Sequence, residues 1–210
     1  MSEENNDRTI KVILLGEAGV GKTNLIRRAM GLDFDINSGS NNTSSYCEKD
    51  IVVNNNKYPY ILWDTAGQEK FRSLNKLFIK DSKIVIVVFA INNKLTFEQV
   101  DFWVNYTKEI LGNFGYILAL VGNKADLFEE QEIEDKVIDE KVKELGIKYK
   151  LTSAAVKDSG FPDFLKELLN DYIRKYLSKE LIPDNSFVIN KRKHIKKKKG
   201  FVESLKSCCK

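Results

Sequence analysis

The chain has 210 residues, 42 % of them hydrophobic, which suits one compact domain with tails. Its net charge of +4 is uneven: from Lys191 onward there are nine Lys/Arg and one Glu, or +8, so the preceding residues sum to 4 − 8 = −4. An acidic body with a basic tail excludes a nucleic-acid domain, whose positive charge belongs on a folded face, and no run approaches the roughly 20 apolar residues of a membrane-spanning helix.

Residues 1–7 are acidic and polar and read as a flexible N-terminus, neither a secretory signal nor a Met-Gly myristoylation start. An apolar run over 10–15 reads as a buried strand. Next come Gly16, Glu17, Ala18, Gly19, Val20, Gly21, Lys22 and Thr23, then a helix opening over 24–28. Two glycines with four residues between them, then Lys and Thr, form a phosphate-binding loop. The glycines turn successive N–H groups into one concavity, and the helix N-terminus adds partial positive charge. Lys22 can reach outer phosphates, and the Thr23 hydroxyl can ligate Mg²⁺.

Residues 33–45 are mostly polar, with Phe34 among them, and read as a mobile loop. Strands are expected near 46–53 and 57–62, joined by Asn54, Asn55 and Asn56, with Pro59 easiest to place on an edge strand. Asp64 follows, where a carboxylate can hold the magnesium shell. Gly67 lets the backbone approach the outermost phosphate, and Gln68 can orient an attacking water. The β-branched run 84–91 reads as a central parallel strand, 96–112 as an amphipathic helix, and 116–121 as another buried strand. A charged helix over 132–145 capped by Gly146, a short strand over 148–151 and a helix over 162–179 with Pro162 in its first turn complete the body. Alternating strands and helices predict an α/β fold, a right-handed, mostly parallel sheet of six strands with helices on both faces and ligands at the strands' carboxyl ends. The domain is expected over 8–180, with 181–210 a disordered basic tail.

The stretches 16–23, 64–68, Asn123-Lys124-Ala125-Asp126 and Thr152-Ser153-Ala154 together resemble the small GTPases of the Ras superfamily, over about 8–178. The run 63–74, the Thr96-Phe97-Glu98 helix start with Trp103 after it, and the terminal cysteine pair are most similar to the Rab family of membrane-trafficking GTPases. The Asp126 carboxylate can accept guanine N1–H and its exocyclic amine together, a donor pair that adenine lacks. The resemblance implies that Asn123 braces this loop and touches the base, the Lys124 stem covers one face, Ser153 and Ala154 complete the guanine pocket with the Ala154 N–H on O6, and Phe34 lies on the opposite side. It also implies Mg²⁺ and GTP/GDP as ligands, Gln68-assisted hydrolysis, and an exchange factor, an activating protein, effectors and a prenyl-binding chaperone as partners.

Several positions depart from that pattern. The threonine expected in the first mobile loop is Asn41 by ungapped spacing, with Thr43 close by. Ala18 stands where serine is common, 77–82 replaces a tyrosine-rich segment, and Ala155 replaces a lysine. At the terminus Cys208 and Cys209 precede only Lys210, so the four-residue prenylation box is absent, yet the resemblance implies that both cysteines carry geranylgeranyl chains. Two chains anchor durably, and the basic run favours an anionic leaflet. The expected place is the cytoplasmic face of an intracellular vesicle or endosome, cycling with cytosol. Two other readings stay open here: a nucleotide-holding scaffold that does not switch, because of Asn41, and an adenine-nucleotide enzyme sharing the phosphate loop.

Overall fold

The structure is a computed structural model and describes residues 9–37, 45–64 and 75–177. Six strands, β1 (Ile10–Leu15), β2 (Ser45–Val53), β3 (Asn56–Asp64), β4 (Ile84–Ala90), β5 (Ile117–Asn123) and β6 (Lys148–Leu151), form one sheet in the order β2-β3-β1-β4-β5-β6. β2 pairs antiparallel with β3, and all the other pairings are parallel. The helices are α1 (Lys22–Ala29), α2 (Asn75–Ile79), α3 (Lys94–Glu98), α4 (Val100–Leu111), α5 (Asp135–Leu145) and α6 (Phe161–Tyr172). Every residue of β4 is buried, as expected of a strand with helices on both faces. Alternate residues Val85, Val87 and Phe89 join Trp103, Val104 and Ile138 in one cluster beneath α4 and α5. The intervening residues face the α1/α6 side, because strand side chains alternate.

The expected elements are present, with local corrections. The asparagine turn is a two-residue hairpin loop: Asn54 and Asn55 both have positive φ (50° and 63°), the left-handed pair that matches strand twist. Pro59 lies on an interior strand, not an edge. Its missing N–H is tolerated because the ladder to β1 starts only at Tyr60, opposite Ile10. The helix expected over 96–112 breaks at Gln99 into α3 and α4. The Thr96 hydroxyl accepts the Ala90 N–H at 3.0 Å and donates to the Asn93 carbonyl, which ties the first turn to the end of β4. The helix expected from 132 starts at Asp135. Glu132 is engaged elsewhere, its N–H on the Ile91 carbonyl and its carboxylate on the Lys94 N–H at 2.7 Å. Gly146 caps α5 at φ 62°, as predicted. The five-residue α2 has no counterpart in the sequence reading.

The chain divides into two units, 1–173 and 174–210. The first carries the whole sheet and α1–α6. α6 ends at Tyr172 and a π-helical turn spans Ile173–Leu177, so the predicted α-helical pattern stops seven residues before 179. Of the second unit, 174–177 are described, with the Lys175 ammonium 5.1 Å from the Tyr176 ring centre. The segments 1–7 and 181–210 lie outside the described residues.

Candidate functional site

The loop 16–21 joins β1 to α1 at the carboxyl end of the parallel strands. Its glycines are there for steric reasons. Gly16 has φ 144°, and a Cβ there would lie 2.1 Å from the Val88 carbonyl oxygen. Gly21 has φ 96°, and a Cβ would lie 2.3 Å from Asn123 Nδ2. The Lys22 ammonium, though only 4 % of the residue is exposed, folds back over the loop and donates to the carbonyls of Gly16 and Glu17, both at 2.9 Å. Among the described residues no acceptor takes the N–H groups of Ala18, Gly19, Val20 or Gly21. Free amides beside a fixed ammonium suit an anion.

A second wall comes from the loops after β5 and β6. Asn123 is buried at the end of β5. Its Nδ2 donates to the Val20 carbonyl at 2.7 Å, and its Oδ1 accepts the Ala154 N–H at 3.0 Å. One side chain thus joins the phosphate loop, β5 and the loop after β6. Lys124 adopts the left-handed conformation at φ 66°, unusual for a side-chain-bearing residue and typical of strained functional turns. The Ser153 hydroxyl donates to the Asp126 carboxylate and accepts the N–H groups of Ala155 and Val156 at 3.1 and 3.2 Å. Backbone bonds stitch the same loops: Ala125 N–H to the Thr152 carbonyl at 3.0 Å, and Thr152 N–H to the Gly122 carbonyl at 2.9 Å. Beneath them Tyr149 is so buried that its phenol is held well above its ordinary pKa, with the Asp135 and Asp139 charges adding to the effect.

α1 braces the base wall and the loop that follows α1. The Arg28 guanidinium donates to the carbonyls of Ala154 (2.8 Å) and Ala155 (2.9 Å). Asn24 exchanges two hydrogen bonds with the Asp35 backbone, each at 3.0 Å, and Arg27 Nε donates to the Asp33 carbonyl. Phe34 stands between these anchors with its ring exposed, on the loop that leaves α1. Neither Arg28 nor Asn24 stood out in the sequence, because their partners lie 126 and 11 residues away with no local pattern to signal them.

Asp64, the last residue of β3, is 4 % exposed, and Thr23 lies in the first turn of α1. The Asp64 charge is felt at Cys47, whose thiol pKa is raised mainly by burial and then by that carboxylate, against Lys49. A hydroxyl and a buried carboxylate at one end of the sheet are hard oxygen donors that suit Mg²⁺. Asn41, Thr43, Gly67, Gln68, Cys208 and Cys209 lie outside the described residues.

A model described as the Ras family matches residues 11–174, from β1 to just past α6. The six-stranded, mostly parallel sheet with its phosphate loop is the P-loop GTPase fold. With both walls placed at the carboxyl end of that sheet, the match is to a guanine-nucleotide-binding family rather than to an adenine-nucleotide enzyme. The chain is a small GTPase and belongs to the Ras family.

Proposed function

We propose that the chain is a Rab-type switch of membrane trafficking that binds Mg·GTP and hydrolyses it slowly to GDP. The observation that carries this is Asn123, whose single amide holds the phosphate loop and the Ala154 N–H in one rigid unit. In this reading the amides of Glu17, Ala18, Gly19, Val20 and Gly21 and the Lys22 ammonium grip the phosphates. Asp126 accepts the two guanine donors, and Ser153 keeps its carboxylate turned to them. Lys124 and Phe34 cover the two faces of the base. Thr23 and Asp64 would hold Mg²⁺, Asp64 through water, with Thr43 or Asn41 as the third protein group. The metal supplies charge neutralisation on the phosphates. Gln68 orients water in line, and Gly67 meets the outermost phosphate. Arg27 and Arg28 are engaged with Asp33, Ala154 and Ala155, so turnover is slow in this reading and rises about 10³–10⁵-fold when a partner supplies an arginine.

GTP is read to order two segments, 33–46 and 66–80, which an aromatic row joins. Tyr46 ends the first, Trp63 precedes the second, and Phe78 lies within it, with ring centres 5.4 and 5.7 Å apart along the row. Tyr46 is 57 % exposed, so a rearrangement of either segment alters a surface that a partner can read. The tail supports the trafficking reading through its basic run and through Cys208 and Cys209 as lipid acceptors on the cytoplasmic side of a vesicle or endosome.

Titration with GDP, ADP and their triphosphates in magnesium, followed by single-turnover hydrolysis, tests the core of this. GDP is expected to outbind ADP by at least 10²-fold, with slow hydrolysis; equal binding ends the proposal. Asn41 favours one rival reading, a scaffold that holds nucleotide without switching. Proteolysis of 33–45 distinguishes them: different cleavage in the GDP and non-hydrolysable GTP states supports the switch, and identical cleavage supports the scaffold. Asn41→Ala and Thr43→Ala then show which residue closes the first segment.

A further inference from the structure

Glu17 places a carboxylate inside a loop built to receive an anion. Its Oε1 accepts the indole N–H of Trp103 at 3.2 Å, across 86 residues of sequence. Trp103 belongs to α4 and is buried among Leu15, Val87 and Phe89. A buried indole N–H left without an acceptor is costly, so the bond serves the helix as well as the loop. The Glu17 backbone also carries weight, because its carbonyl is one of the two that hold the Lys22 ammonium.

We propose that Trp103 is a positioning residue for the phosphate loop: its N–H holds the Glu17 carboxylate against α4 and keeps that negative charge out of the anion site. The inference rests on the nucleotide reading above. The geometry explains why the restraint is needed. The Lys22 ammonium lies on Glu17's own carbonyl. A released Glu17 carboxylate has that cation at hand, and pairing with it would neutralise the charge that phosphate needs. It would also repel the phosphates directly, and more strongly as their charge rises.

The experiment uses the full chain. Trp103→Phe keeps an aromatic ring in the core and deletes the N–H. Its affinity for GDP is expected to fall about tenfold, its affinity for a non-hydrolysable GTP analogue to fall further, and both losses to shrink as salt is raised. Adding Glu17→Ala to Trp103→Phe removes the freed carboxylate and is expected to recover most of the lost affinity. A residue that merely packs would produce equal losses for both nucleotides, no salt dependence and no rescue, and that pattern overturns the proposal. If Trp103→Phe does not fold, Glu17→Leu serves instead. It leaves the indole unpaired and removes the charge, so a lower Tm with GDP binding no weaker than in the wild type supports the proposal, and weaker GDP binding overturns it. Failure of this inference appears with wild-type guanine selectivity intact; failure of the underlying reading appears in the wild type itself.

Discussion

The two walls of the site are built on opposite plans. The phosphate wall is one continuous stretch, and Lys22 closes it by reaching carbonyls only six and five residues away. The base wall joins two loops that meet only because β5 and β6 run parallel with Gly122 opposite Leu151. Besides two backbone bonds, its fastenings are side chains: Asn123 to Ala154 across 31 residues, Ser153 to Asp126 across 27, and Arg28 to Ala154 across 126. A wall closed by contacts between near neighbours in the chain is specified by local spacing. A wall closed by distant side chains depends on the whole sheet being in register. The phosphate wall therefore breaks through sterics, and the base wall through lost hydrogen bonds.

Gly16→Ala attacks the first wall where nothing can move. The new Cβ would press on a backbone oxygen of the central strand at a φ that suits glycine. A loss of about 3 kcal/mol or more is expected, read as a lower urea midpoint, with nucleotide binding lost alongside. Asn123→Ala attacks the joint between the walls. It strands the Val20 carbonyl and the Ala154 N–H in a buried place, for about 2–4 kcal/mol in the same assay, and it weakens GDP binding as well. Asp126→Ala separates selectivity from stability. Asp126 is exposed, so the unfolding midpoint should move by less than about 1 kcal/mol, while GDP affinity falls roughly 10–100-fold and ADP affinity stays level in calorimetric titration.

The smallest effect is in alkaline solution and is read at the base wall through Tyr149. Burial holds the Tyr149 pKa above its unfolded value of 10.0. The unfolded chain then loses its phenolic proton first, so the stabilisation is complete below that unfolded value and declines as pH climbs past it toward the folded one. Urea midpoints are expected to drop between pH 9 and 11, and to drop less in Tyr149→Phe. A Cβ at Gly122 would lie 2.7 Å from the Tyr149 hydroxyl, so the phenol that the folded chain keeps protonated lies against the base wall. Equal alkaline sensitivity in Tyr149→Phe would show that the two walls do not differ in this way.

Periodicity and spacing alone already indicate the alternation of strands and helices, the buried β4, the asparagine turn and the phosphate loop, because each follows from contacts among neighbouring residues. The boundaries that moved were settled by partners far along the chain. Thr96 bonds to the end of β4, Glu132 bonds to Ile91 and Lys94, and Pro59 is tolerated inside the sheet because β1 starts one residue further on. The same holds for Arg28, Asn24 and the Trp103–Glu17 bond, which no local pattern announces. Spacing along a chain records which groups can meet within a turn or a strand. Which distant side chains share a hydrogen bond is decided only when the sheet closes, since register and helix packing set those distances.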